Sequence, residues 1–344
     1  MKPFYFSNTK NFGDHMNSWL WAELLPELVK QQDDIRLIGI GSLLARDLDL
    51  VSGRKVVFGT GSGYSAPPSP EQAARWDVRC VRGPLTARLL GIEPEKAITD
   101  AAWLINLIPR YAEIPREKSG VTFIPHWTSA LYGAWEPLCK KANITYVDPH
   151  LDCDAIFAAI AHSELAIVES LHAAIIADYY RTPWIPVLSP QRILVFKWLD
   201  WCDSLNIDYR PHMLPPSDYF DCLVQGIKPR QANTELHEVS VNRSSHDIRR
   251  ANSKPKTRGI RYSLEQRLRK FGSRGRKLLL SNTMHMRNVY PISVWNQRHD
   301  EQLVCYFEKL ATTEPVLSSK EIRSQRIEQL NDAFFDMKKY YSHQ

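Results

Sequence analysis

Through the first 210 residues, short apolar runs alternate with stretches of helical spacing, and this rhythm limits the fold more than any other feature. "PFYFSN", "IRLIGIG", "KVVFGTGSG" and "WDVRCV" read as strands, and "NFGDHMNSWLWAELLPELVK" moves from a glycine-containing turn into an amphipathic helix. A proline-broken stretch, "LIPRYAEIPREKSG" (107–120), reads as an interdomain linker. The rhythm then restarts with "VTFIPH", "ITYVDP", "LAIVE" and "WIPVL" as strands, separated by helical patterns and followed by the long helix "QRILVFKWLDWCDSLN". Strand, turn and helix repeated in this order favour parallel sheets flanked by helices, here as two α/β units of about 100 residues each. Ligands of such sheets sit beyond the carboxyl ends of the strands, so a cleft between the units is the natural active site.

The length of 344 residues suits this division, with an N-terminal unit at 1–115, a second at 116–212, and a basic linker with a helical extension at 213–344. Residues 1–20 lack a charged segment followed by an apolar one, and no uninterrupted apolar run approaches the roughly 18–20 residues of a membrane span. A soluble, unexported protein is expected. Six cysteines are scattered without a C-x-x-C pair, which fits a reducing compartment, gives no zinc signature and makes the cytoplasm the default location. The net charge of +6 is concentrated: residues 242–278 hold thirteen Lys/Arg against Asp247 and Glu265, so this segment carries +11 and the remainder −5. Beyond Pro211 the alternation stops. The tail reads as a mobile linker, a basic helix in "RYSLEQRLRKFGSRGRKLLL", and a C-terminal packing helix in "LSSKEIRSQRIEQLNDAFFDMKKYY".

The stretch "IVESLHAAIIADYY" (167–180) leaves His172 in the first helical turn after a strand, with Ser170 as N-cap and Asp178 as the one polar edge. Unpaired N–H groups and the positive end of the helix dipole favour an anion there and disfavour a protonated imidazole unless that anion is bound. A neutral histidine that gains a proton as a phosphate or carboxylate arrives is a good general acid. The pattern equally fits a histidine hydrogen-bonded at a domain seam. In "CVRGPLTARLLG" (80–91), Pro84 marks a first helical position and Gly91 a helix stop, so Arg82 projects from a strand end. There a guanidinium can grip an anion with two prongs, or cap a neighbouring helix. In "NTKNFGDHMN", Asn11, Asp14 and Asn17 offer hydrogen bonds at a strand–helix junction, with Asp14 either orienting a sugar hydroxyl, acting as a base, or serving as an N-cap. "FGTGSG" has the composition of a phosphate-cradling turn but lacks the full dinucleotide fingerprint and the P-loop lysine pattern. "IPHW" places His126 at a strand end, and "FKWLDWC" sets Lys197 and Asp200 on a helix whose Trp198 and Trp201 suit a core or a sugar-stacking surface.

Taken in order, "NFGDHMN", "GTGSG", "VRGPLTARLLG", "ITDAAWLI", "IPHW", "ESLHAAIIADYYRTPWIPV" and "FKWLDWC" resemble the polysaccharide pyruvyltransferase family, particularly the bacterial exopolysaccharide ketalases, over about residues 5–210. The resemblance implies two Rossmann-like domains facing across a cleft, as in GT-B glycosyltransferases. It implies phosphoenolpyruvate as donor, two hydroxyls of a sugar as acceptor, and a cyclic pyruvate ketal as product. The family's essential histidine matches His172, and the arginine of its middle motif matches Arg82. Several members carry arginine two residues before this histidine, where this chain has Ser170. The donor must then lean on Arg82, on the helix that Ser170 opens, or on Lys197 or Arg192. Asn11, Asp14 and His126 are the candidates for the acceptor side. The chemistry requires no metal or redox cofactor, and no metal-ligand spacing is present.

Two other functions fit parts of the chain. The same architecture can host a nucleotide-sugar glycosyltransferase, and the +11 segment suggests nucleic-acid binding. Nucleic acid is the weaker of the two, because the segment interleaves only Tyr262 and Phe271 among its basic residues. Peripheral attachment of 242–290 to the anionic inner face of the plasma membrane, where lipid-linked oligosaccharides are assembled, suits that composition better, with a solvated linker as the alternative.

Overall fold

The structure is a computed structural model and describes residues 1–5, 11–31, 33–63, 65–113, 115, 117–189, 193–241 and 292–343. Arg192 and the basic segment 242–290, read above as a donor contact and a membrane-facing element, lie outside the described residues.

Two parallel sheets organise the chain. The first holds β1 (Lys2–Phe4), β2 (Ile35–Ile38), β3 (Arg54–Phe58) and β4 (Asp77–Cys80) side by side in chain order. The second holds β5 (Val121–Ile124), β6 (Thr145–Tyr146), β7 (Leu165–Val168), β8 (Trp184–Leu188) and β9 (His212–Met213), in the order β6-β5-β7-β8-β9. Connections leave β5 toward one edge of this sheet and β7 toward the other, so the gap between the ends of β5 and β7 is a topological switch point, where open α/β sheets bind ligands.

Both sheets are buried on both faces, as parallel strands require. Along β2 and β3, Leu37, Val56 and Phe58 face one core while Ile38 and Val57 face another. Along β8, Trp184 and Leu188 point one way, Ile185 and Val187 the other. One of these cores runs without interruption from the first sheet to the second. Across it the Trp103 indole N–H donates to the Ile175 carbonyl at 2.9 Å.

The helix after β7, Leu171–Tyr179, lies inside this shared core with all nine residues buried. The expected polar edge is absent. Asp178 is itself buried, accepting from the Trp184 indole at 3.2 Å, from the Ser318 backbone N–H at 2.9 Å and from the Ser318 hydroxyl. A helix that is apolar nearly all round belongs inside a protein.

The alternation does not end at Pro211. β9 extends the second sheet and the helix Tyr219–Gln225 follows it; a two-residue strand is too short to show a period. The helix Ile292–Leu310 lays Leu303, Tyr306, Phe307 and Leu310 on the outer face of the second sheet. The chain then passes Val316, which bridges Trp184, and returns to the first unit as Lys320–Ser342. That last helix buries Leu330, Phe334, Met337 and Tyr341, with Phe334 edge-on to Phe58. Each such side chain stabilises the fold by about 1.5–3 kcal/mol relative to exposure. No described helix is long and apolar enough to cross a membrane.

Candidate active site

His172 is the second residue of its helix, at the carboxyl end of β7 beside the switch point. Ser170 holds the N-cap position, but its side chain makes no capping hydrogen bond. The imidazole is pressed from the first unit by the segment Phe12–His15: a Cβ on Gly13 would overlap the ring, and the Phe12 ring stands edge-on at 6.3 Å between centroids. Only glycine permits this approach. Nε2 is buried and has no hydrogen-bond partner among the described residues. Burial, and then the positive charges of Lys197 and Arg82, pull the imidazole down to a pKa of about 3, so it is neutral in the free protein. The structure thus draws His172, Lys197 and Arg82 from three distant sequence motifs into one electrostatic neighbourhood. Lys197 lies in the helix Val195–Ser204 and is buried.

Arg82 follows β4 at the entrance to the helix Pro84–Leu90, with Pro84 in its first turn and Gly91 in the left-handed region at its end (φ 64°). The guanidinium is 1 % exposed. Nε donates to Asp200 Oδ2 at 3.1 Å, Nη1 to the Gly41 carbonyl at 3.2 Å and the Ser42 hydroxyl at 2.9 Å, and Nη2 to the Ser62 carbonyl at 3.0 Å. Four of its five N–H groups are therefore taken, which corrects the two-pronged anion grip suggested by its position at a strand end. What Arg82 offers an anion is its field and one N–H. Asp200 completes the lock by accepting from the Thr86 backbone N–H at 2.8 Å and the Thr86 hydroxyl at 2.6 Å. Trp198 and Trp201 are fully buried beside it and form core, not a sugar-stacking surface.

On the first-unit side, Asn11 is the N-cap residue of Phe12–His15, and its Nδ2 donates to Asp14 Oδ2 at 3.2 Å. Asp14 lies within that short helix and does not cap it. Asn17 is structural: its amide donates to the Asp14 and Ile40 carbonyls and accepts from the Trp21 indole and the Ile40 N–H. His126, at the end of β5, caps the helix Trp127–Tyr132, with Nδ1 2.7 Å from the Thr128 hydroxyl. Its backbone N–H donates to Glu169 Oε2 at 2.9 Å, which ties the end of β5 to the end of β7. His126 and His172 thus flank the switch point.

Three residues at the site carry no role in the sequence reading. Glu169, fully buried, joins the two strand ends; its only signal is the glutamate at the end of "LAIVE". Asp200 pairs with Arg82 across 118 positions, a distance no local pattern spans. Asp100, from "ITDAAWLI", is fully buried at the head of the 3-10 helix Ala101–Leu107.

Fold and site together define an α/β protein with a neutral, buried imidazole under the positive charge of two buried cations at a switch point, an arrangement suited to an enzyme that handles an anion. Comparison with known proteins makes the class specific. The family model "Polysaccharide pyruvyl transferase" matches residues 5–191, more than half of the chain, and the chain belongs to that family. The succinoglycan biosynthesis protein ExoV of Rhizobium meliloti (strain 1021) is 38% identical over 229 residues, which cover 66% of this chain and 72% of that protein. No solved structure gives a significant match. The chain is accordingly a transferase acting on polysaccharide, a pyruvyltransferase of exopolysaccharide biosynthesis. The family read from the ordered motifs is the family to which it belongs.

Proposed function

We propose that the protein transfers the pyruvyl group of phosphoenolpyruvate to two hydroxyls of one sugar in a lipid-linked oligosaccharide, forming a cyclic ketal and releasing phosphate. One observation carries this reading: the buried, unpartnered Nε2 of His172 under the charges of Lys197 and Arg82. A buried polar atom without a partner costs about 1–3 kcal/mol, and a substrate that supplies the partner recovers it. A donor carrying phosphate and carboxylate offsets both cations and restores the basicity of the imidazole, so that its arrival loads the acid. The GT-B-like arrangement of two facing domains belongs to the same reading, as does work at the inner face of the plasma membrane through 242–290.

The imidazolium gives its proton to the methylene carbon of the donor, and positive character grows at the adjacent carbon. The first sugar hydroxyl forms its C–O bond there and returns its proton to Nε2. The second hydroxyl attacks the same carbon as the C–O bond to phosphate breaks, and its proton leaves with the phosphate. Lys197, Arg82 and the helix opened by Ser170 hold the donor anion, while Asp14, steadied by Asn11, and His126 orient the acceptor. Arg192 stands next to this set in sequence and is a further candidate for the donor. The test is incubation with phosphoenolpyruvate and a lipid-linked oligosaccharide. Acceptor-dependent phosphate release with a mass gain of one pyruvyl ketal is expected; neither appearing with folded protein sinks the reading.

A further inference from the structure

Asp100 is a buried carboxyl that the mechanism above does not use. It opens the 3-10 helix Ala101–Leu107, and its Oδ1 accepts the Ala102 N–H at 3.0 Å. Oδ2 has no hydrogen-bond partner among the described residues, and the side chain is sealed from solvent. Its position is fixed at the carboxyl end of β3: the Ala101 N–H donates to the Gly59 carbonyl at 3.4 Å, and a Cβ on Gly59 would collide with Ala101.

The titratable groups acting on Asp100 come from three elements. Arg82 and Cys80 lie at the end of β4, Asp200 on the helix Val195–Ser204, and Asp14 in Phe12–His15. The thiol of Cys80 is pushed up by burial and stays neutral. One guanidinium therefore stands among three carboxyl groups. Among the described groups that act on Asp100, Arg82 is the one cation, and it already holds the ion pair with Asp200. Burial, opposed by Arg82 and reinforced by Asp200 and Asp14, pushes the Asp100 carboxyl up to about 7.

We infer that Asp100 is a proton-holding positioning residue: it takes up a proton from solvent when an anion settles beside Arg82 and Lys197, and so stops offsetting the charge of Arg82. Empty, the cleft balances Arg82 with carboxylates; filled, the bound anion replaces the charge of Asp100. The inference rests on the anionic-donor reading above. It adds to that reading a pH-dependent donor affinity whose source is not His172.

The test compares the full chain with Asp100→Asn, whose amide oxygen can still cap Ala102, and with Asp100→Ser as a second cap-retaining variant. Thermal melts confirm folding. Binding of phosphoenolpyruvate and, separately, of inorganic phosphate is followed by calorimetry from pH 6.5 to 8.5 in buffers of different ionisation enthalpy. The parent is expected to take up protons on binding, and its affinity to fall roughly tenfold more across that range than that of either variant. Ionisation of the ligands is common to all three proteins and cancels in the comparison. Equal proton uptake and equal pH slopes in parent and variants would overturn the inference, as would a carboxyl ¹³C resonance of Asp100 in the free protein that titrates in the ordinary aspartate range. Phosphate binding with a proton uptake that both Asp100 variants reduce, when phosphoenolpyruvate does not bind, would uphold this inference and remove phosphoenolpyruvate as donor. Neither anion binding would overturn both.

Discussion

The two buried basic side chains of the candidate site are built in opposite ways. Arg82, from the first unit, spends four N–H groups on protein oxygens, and its counter-ion Asp200 is in turn held by Thr86. His172, from the second unit, is also buried but presents an imidazole nitrogen with no described partner. A satisfied buried network makes a rigid frame, whereas an unsatisfied one awaits a ligand. Arg82 and its partners thus form a fixed frame, and His172 presents a nitrogen open to a partner.

The largest expected break in this contrast is His172→Gln. Activity should fall by about 10²–10⁴-fold, the usual worth of a general acid, with the melting temperature little changed, because the side chain removed has an unmet bond; steady-state phosphate release and a thermal melt on the same sample check both halves. Asp200→Ala should invert the pattern. Leaving Arg82 buried without its counter-ion costs about 3–5 kcal/mol, to be read as a lowered midpoint in urea unfolding. Gly13→Ala sits between the two centres: a methyl group where the imidazole lies should cost about 1–3 kcal/mol by overpacking and should also reduce turnover, since the ring must move. Smallest is a pH effect on stability. His172 is depressed from its ordinary 6.5 to about 3 in the fold, so between those values the unfolded chain binds the extra proton. This contribution to stability is complete above about pH 6.5 and is lost as pH falls toward 3. Unfolding midpoints measured from pH 7 to pH 4 should decline less steeply in His172→Gln than in the parent.

Much of the frame was legible in the sequence, because buried parallel strands are nearly continuous apolar runs and helix entrances carry their own marks. "LAIVE" before His172 and Pro84 after Arg82 placed both residues at strand–helix junctions, where they are found. What could not be read were relations between distant residues. Nothing local in "NFGD" says that Gly13 is flat against an imidazole 159 positions later, nor in "FKWLDWC" that Asp200 closes on Arg82. Asp100 was hidden for a different reason: one carboxylate in an apolar run looks like any N-cap, and its burden of neighbouring charge exists only after folding. The helix Ile292–Leu310 did carry a signal, apolar residues at 303, 306, 307 and 310, but many charged residues surround it.

The path of the last helix has a consequence for how the protein is made. Leu330, Phe334, Met337 and Tyr341 cover the face of the sheet that contains Phe58, and Tyr341 donates to Asp77 on β4 at 2.6 Å. The first sheet therefore emerges from the ribosome with part of its apolar face bare, and that face waits until the chain has been synthesised past residue 341. Domains generally fold as units during synthesis at about 5–20 residues per second. At that pace the interval between the completion of β4 and the arrival of Tyr341 is on the order of ten seconds or more. For that time the sheet that anchors Arg82 lacks these contacts, and the earliest strands of this protein are among the last to be finished.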